Sequence, residues 1–128
     1  MLLSELNVWL IATAGILSLA TALIHIILGG REIAKPLLAS ELKRVPKYTN
    51  YYCWHMVSII LVTMAGCYGI ALFSPAGWPL ATLATFLAWA FAIWNFVLML
   101  GTKSKAIELP QWILFIAIGI PGLLGQIA

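Results

Sequence analysis

The sequence predicts an all-α polytopic membrane protein: a four-helix transmembrane bundle with a short amphipathic interfacial helix in its first loop. Three observations carry that expectation. Hydrophobic residues fill 63% of the 128 positions and charged residues only 9%. A soluble domain has about 25% charged residues, so this chain cannot clothe a water-facing surface. The mean hydropathy of +1.04 agrees. Finally, four stretches approach the roughly 20 apolar residues that a spanning helix needs: about 8–29, 52–73, 80–100 and 109–127. Only short connections are left, so residues 1–128 read as a single transmembrane domain.

The charges support this layout. All seven cations lie in two connections: Arg31, Lys35, Lys43, Arg44 and Lys47 in the first, Lys103 and Lys105 in the third. These two loops share a side in a four-span protein. The positive-inside rule then makes 30–51 and 101–109 cytoplasmic and puts both termini outside. The expected location is integral to a membrane, a bacterial inner membrane being the simplest host. The net charge of +3 is thereby topology and not a signal for nucleic acid. Glu5 stands where a cleaved signal would carry cations, and the apolar run after it is too long for one. Cys53 and Cys67 share one helix about 21 Å apart at 1.5 Å per residue, so they cannot bond to each other.

Taken in order, Ser4 or Asn7 is expected to cap the first helix. Ala14, Ser18, Thr21, Ala22, His25 and Gly29 recur at helical spacing and predict the face that meets other helices, since small residues mark close approach in membranes. Gly29-Gly30 predicts an exit from the helix. In the following loop Pro36 is expected to start the interfacial helix, with Leu37, Leu38, Leu42 and Val45 on its apolar side and Pro46 ending it. Tyr51, Tyr52 and Trp54 form an aromatic belt at the start of span two. That span is expected to turn His55, Ser58, Val62, Ala65, Gly66 and Gly69 inward. Ser74-Pro75-Ala76-Gly77 predicts a tight turn, making spans two and three an antiparallel hairpin. Ala81, Ala84, Ala88, Ala92 and Asn95 predict a narrow packing face on span three, with Trp89 and Trp94 around it. Pro110 fits the first turn of span four. Gly119, Pro121, Gly122 and Gly125 predict that its second half is irregular or kinked.

The functional expectation centres on His25, His55 and Asn95. These three polar residues fall at similar depth, about one to two turns inside the basic side. Ionisable groups within spans are costly and therefore informative. The leading reading is a non-enzymatic accessory or self-assembling subunit whose polar layer joins helices, with the lipid bilayer and a homo-oligomer or larger membrane complex as partners. The alternative is a redox or ligand-binding protein, with His25, His55, Asn95 and Trp94 around the ligand. In its sharpest form His25 and His55 are metal ligands, the axial imidazoles of a b-type haem, and Arg31, Lys35 or Arg44 meets its propionates or a lipid headgroup. A non-haem metal would need Glu32 beside His25, which requires the helix to continue past Gly29-Gly30. A small-solute transporter is the third reading; the four glutamates lie outside the spans, which disfavours proton-coupled export. No recognised catalytic constellation is present in the sequence.

Overall fold

The computed structural model describes residues 4–128, and no strand occurs among them. Helix α1 (Glu5–Ile24) runs directly into a π-helical segment, His25–Ala34, and then into α2 (Lys35–Ala39). Helix α3 spans Arg44–Phe73, α4 Trp78–Thr102 and α5 Gln111–Ile127, with a single 3-10 turn at Pro75–Gly77 between α3 and α4. Three stretches, Glu5–Ala39, Arg44–Phe73 and Pro75–Thr102, are long and apolar enough to cross a membrane. Helix α5 is apolar but has only 17 residues.

The first loop departs from expectation. No separate interfacial helix forms: Glu5–Ala39 is one helical rod of 35 residues. Gly29-Gly30 lies inside it and does not end it. Just before Pro36, which has no N–H to donate, the hydrogen bonds lengthen, and Lys35 N–H reaches the Gly30 carbonyl five residues back. Flexible glycines and a missing donor together favour this π geometry, which is rare and tends to occur at functional sites. Pro46 likewise starts a helix instead of ending one. It is the third residue of α3, after the cap Lys43, where a backbone N–H would have no intrahelical partner.

The long helices pack as a ring in the order α1, α3, α4, α5 and back to α1. Ser4 caps α1 by accepting the Asn7 N–H at 3.2 Å. The Asn7 side chain donates to the Ala128 carbonyl at 2.9 Å, fastening α1 to the end of α5. The expected faces of α1 and α4 are buried: Ala14, Ser18, Thr21 and Ala22 on one, Ala81, Ala84, Ala88, Ala92 and Asn95 on the other. The Ser18 and Thr21 hydroxyls donate to carbonyls of their own helix, Ala14 and Leu17.

The face expected for span two is wrong. Helix α3 buries Leu61, Met64, Cys67, Tyr68 and Ala71, while His55, Val62 and Gly66 are exposed. The cause is size. Three ring members supply small residues, so α3 must supply the bulk that fills the centre. Tyr68 does most of this: it is fully buried, its Cβ would lie 3.1 Å from a Cβ on Gly15 of α1, and its hydroxyl faces Thr85 of α4 and Gly122 of α5.

Helix α5 is not irregular. It continues through Pro121 to Ile127, and its glycines form a packing seam. A Cβ on Gly119 would lie 2.9 Å from the Trp89 indole, one on Gly122 2.6 Å from both Thr85 Oγ1 and the Tyr68 hydroxyl, and one on Gly125 2.9 Å from Ile11. Only hydrogen fits there. At the middle of this seam Tyr68 and Thr85 hydroxyls lie 2.8 Å apart, Gln126 Nε2 donates to Thr85 Oγ1 at 2.7 Å, and Thr82 donates to Gln126 Oε1 at 2.6 Å. The network ties α3, α4 and α5 together and leaves no buried polar side-chain atom unpartnered among the described residues. The exterior is apolar as well, with Ile16, Ile59 and Phe86 each about two-thirds exposed. Contiguous apolar surface of this kind suits lipid and is a liability in water.

Candidate ligand cleft

At the end of the bundle that carries the basic residues, the ring opens. His25, Trp54 and Gln111 lie at one level and line the same cavity of about 610 Å³. Beyond that level α5 has ended, while the first rod continues to Ala39 and α3 begins ten residues before Trp54. The hairpin of these two helices therefore stands about 15 Å past the start of α5 at 1.5 Å per residue. The cavity is the notch left where α5 stops.

One wall is a single face running from α1 into the π-helical segment: Thr21, Ile24, His25, Leu28, Gly29 and Glu32. Val57 and Leu61 of α3 and Leu114 and Phe115 of α5 supply apolar surface opposite. The polar groups are few: Thr21, whose hydroxyl is bonded to Leu17 of its own helix, and, toward the open end, His25, Trp54, Glu32 and Gln111. A mostly apolar concavity with a few convergent polar groups is the usual form of a small-molecule site, at about 300–1,000 Å³.

Each lip residue is held. The His25 ring stacks on the Trp54 indole, with centroids 4.4 Å apart and planes 22° apart. Its Nε2–H donates to the Trp54 carbonyl at 3.2 Å, which leaves Nδ1 as the acceptor. The indole is seated against Gly29, where a Cβ would lie 3.8 Å from the ring; larger side chains there would push it away. On the other side, Tyr51 lies parallel to Trp54 at 6.4 Å. Gln111 accepts from Asn95 Nδ2 at 3.4 Å, and Asn95 Oδ1 accepts the Trp112 N–H at 3.1 Å. Asn95 thus caps α5 from the neighbouring helix.

The polar layer expected from sequence is therefore divided. His25 and Asn95 meet the same cleft, His25 directly and Asn95 through Gln111. His55 turns outward and is exposed, with its ring edge-to-face against Tyr51 at 4.5 Å and Trp54 at 5.1 Å. Trp94 is 65% exposed and does not line the cleft. Trp89 instead donates to the Gly119 carbonyl at 3.1 Å. Arg31, Lys35 and Arg44 are exposed along the projecting hairpin, outside the cleft; Arg44 covers the Tyr48 ring at 5.4 Å.

This arrangement does not fit a haem held by His25 and His55. Axial imidazoles must aim their nitrogens at one iron from opposite faces of a macrocycle. Here both rings lie against the same indole, and the Nε2 of His25 is engaged by the backbone. The helix does continue past Gly29-Gly30, so Glu32 and His25 share the cleft. Even so, no group of three or more His, Cys, Asp or Glu able to hold a metal ion forms among the described residues.

Two contributors escaped the sequence reading. Gln111 follows Pro110 at an apparent loop boundary, where a polar residue excites no notice. The signal that could have found it is its position opposite Asn95 across a short reversal. The Tyr68–Thr85–Gln126 network was missed because Thr85 interrupts an alanine face only mildly. No family model matches this chain, and no characterised protein or solved structure was found to be similar to it.

Proposed function

We infer that the protein is an integral membrane protein of four spans, both termini outside, that binds an amphiphilic molecule in the notch above α5. The observation that carries this is the cavity itself: about 610 Å³, apolar in depth apart from Thr21, with its other polar groups toward the open end. An alkyl chain suits the interior between α1, α3 and α5. A hydrogen-bonding head suits the level of His25 and Gln111. Placing the basic loops in the cytoplasm brings the lip to the cytoplasmic leaflet, where an amphiphile can enter sideways from the bilayer. Helix α5, about 25 Å long at 1.5 Å per residue, is shorter than the roughly 30 Å hydrocarbon core, and local thinning of the bilayer accommodates it.

The test is the lipid extract of the purified protein. One amphiphile should be enriched over its share of the host membrane, and Leu28→Trp, which fills the cleft from a half-exposed position, should abolish the enrichment. An extract that mirrors the bulk membrane in both proteins removes the ligand-binding reading.

Self-assembly is the second reading. Its support is the outward-facing Gly66 and Gly69 of α3, where a Cβ would meet nothing within 4 Å, so another helix could approach closely. Oligomer size in detergent, compared between the native chain and Gly66→Leu, separates it from the first. Transport of a small solute is supported less, because Tyr68 fills the centre of the bundle.

A further inference from the structure

We propose that the head of the bound amphiphile carries a primary amine. The proposal rests on the ligand-cleft reading and specifies its ligand. Three observations lead to it. Glu32 is the one acidic side chain lining the cleft, and no Lys or Arg lines it, although Arg31 and Lys35 flank Glu32 in sequence. A cationic head is therefore favoured over an anionic one, and electrostatic complementarity of this kind is a specificity device. Second, His25 spends its Nε2–H on the Trp54 carbonyl, so its Nδ1 offers a lone pair. Glu32 and this Nδ1 suit a head that donates N–H bonds. Third, the Trp54 indole has His25 stacked at 4.4 Å on it and Tyr51 parallel at 6.4 Å. An aromatic cage that would take a quaternary ammonium needs several open ring faces; besides His25 the cleft is lined by only two aromatic rings, Trp54 and Phe115, and His25 takes one face of the first. Recognition falls to hydrogen bonds, which a trimethylammonium head cannot make.

An amine of this type could come from an aminophospholipid headgroup or from a free long-chain amine. Binding is measured with the full chain in phosphatidylcholine nanodiscs, using amphiphiles of one chain length whose brominated tails quench tryptophan. The heads are primary amine, trimethylammonium, alcohol, carboxylate and phosphoethanolamine.

The primary amine is expected to bind most tightly. Glu32→Gln should weaken it by about tenfold, the value of one charge-assisted hydrogen bond at a solvent-reachable site, and leave the alcohol unchanged. Phosphoethanolamine binding as tightly as the simple amine assigns the source to a phospholipid; much weaker binding assigns it to a free amine; both support the proposal. Trimethylammonium or carboxylate binding as well as the primary amine overturns it, as does an unchanged amine affinity in Glu32→Gln. In those cases loss of the saturable quenching in Leu28→Phe, which narrows the cleft without adding a tryptophan, would show that the cleft reading survives. No saturable quenching by any head in the native chain overturns both.

Discussion

Replacing Gly122 with alanine adds one methyl group at the tightest point of the bundle. That methyl would lie 2.6 Å from Thr85 Oγ1 and 2.6 Å from the Tyr68 hydroxyl. Carbon and oxygen in contact need over half an ångström more, so at least two helices must move apart. Tyr68 is fully buried and has nowhere to swing. Overpacking of this kind costs about 1–3 kcal/mol. Spreading the seam also weakens the bonds among Tyr68, Thr85 and Gln126, at about 0.6 kcal/mol for each interhelical bond in a membrane. Against this, alanine is the better helix former by about 1 kcal/mol. The net expectation is a loss of about 1–3 kcal/mol, read as a lower midpoint in a reversible denaturant titration in mixed micelles. Gly69→Ala is the internal comparison, because nothing lies within 4 Å of its Cβ. It gains propensity without a clash and should be neutral or up to about 1 kcal/mol more stable. Adding Tyr68→Phe and Thr85→Ala removes both oxygens, so Gly122→Ala should cost less in that background, a coupling that sites in contact show and distant ones do not. If Gly122→Ala and Gly69→Ala are equally stable, the seam is not packed as described.

Other consequences are open to direct measurement. Asn95→Ala removes the acceptor of the Trp112 N–H, so amide exchange over the first turn of α5 should accelerate, with stability falling by about 1 kcal/mol as for other lost caps; unchanged exchange there would contradict the cross-helix cap. Cys53 is exposed and Cys67 buried, so a maleimide should label Cys53 in detergent and reach Cys67 only after unfolding. In intact cells Lys103 should be shielded from an impermeant amine reagent added outside, and rapid labelling would reverse the proposed orientation. Expression with added haem should give no Soret band that disappears in His55→Ala, since His55 is turned away from the cleft.

The parts of this fold that could be read in advance were those where size alone decides. Ala81, Ala84, Ala88 and Ala92 mark a buried face because little else explains alanine at that spacing, and the Ala14–Ser18–Ala22 stripe works the same way. Helix α3 could not be read by that rule. In lipid the outside of a helix is as apolar as the inside, so hydropathy carries no inward label. Gly66 and Gly69 looked like contacts, yet Leu61, Met64 and Tyr68 are the residues buried. Whether a face needs small or large residues depends on its three neighbours, which a single helix does not encode. The prolines were ambiguous for a related reason: Pro46 can stop one helix or stand in the first turn of the next. His25 stands out in the sequence by its cost within an apolar helix, and it lines the cleft. His55 was given the same weight, though a residue near the interface can turn its ring to the surface at little expense. The cleft was not legible at all, because it is made by an absence of chain where α5 stops.

The seam of Gly119, Gly122 and Gly125 against Thr85, Trp89 and Ile11 also fixes how this protein can change over time. Glycine has nothing smaller to become, and any larger residue collides. Substitution there is closed in both directions, so drift must collect elsewhere. It can do so on the lipid face, where one aliphatic residue exchanges for another, and around the notch, where side chains border open space. Descendants of this sequence would then share one half of the bundle almost unaltered and vary what the other half holds.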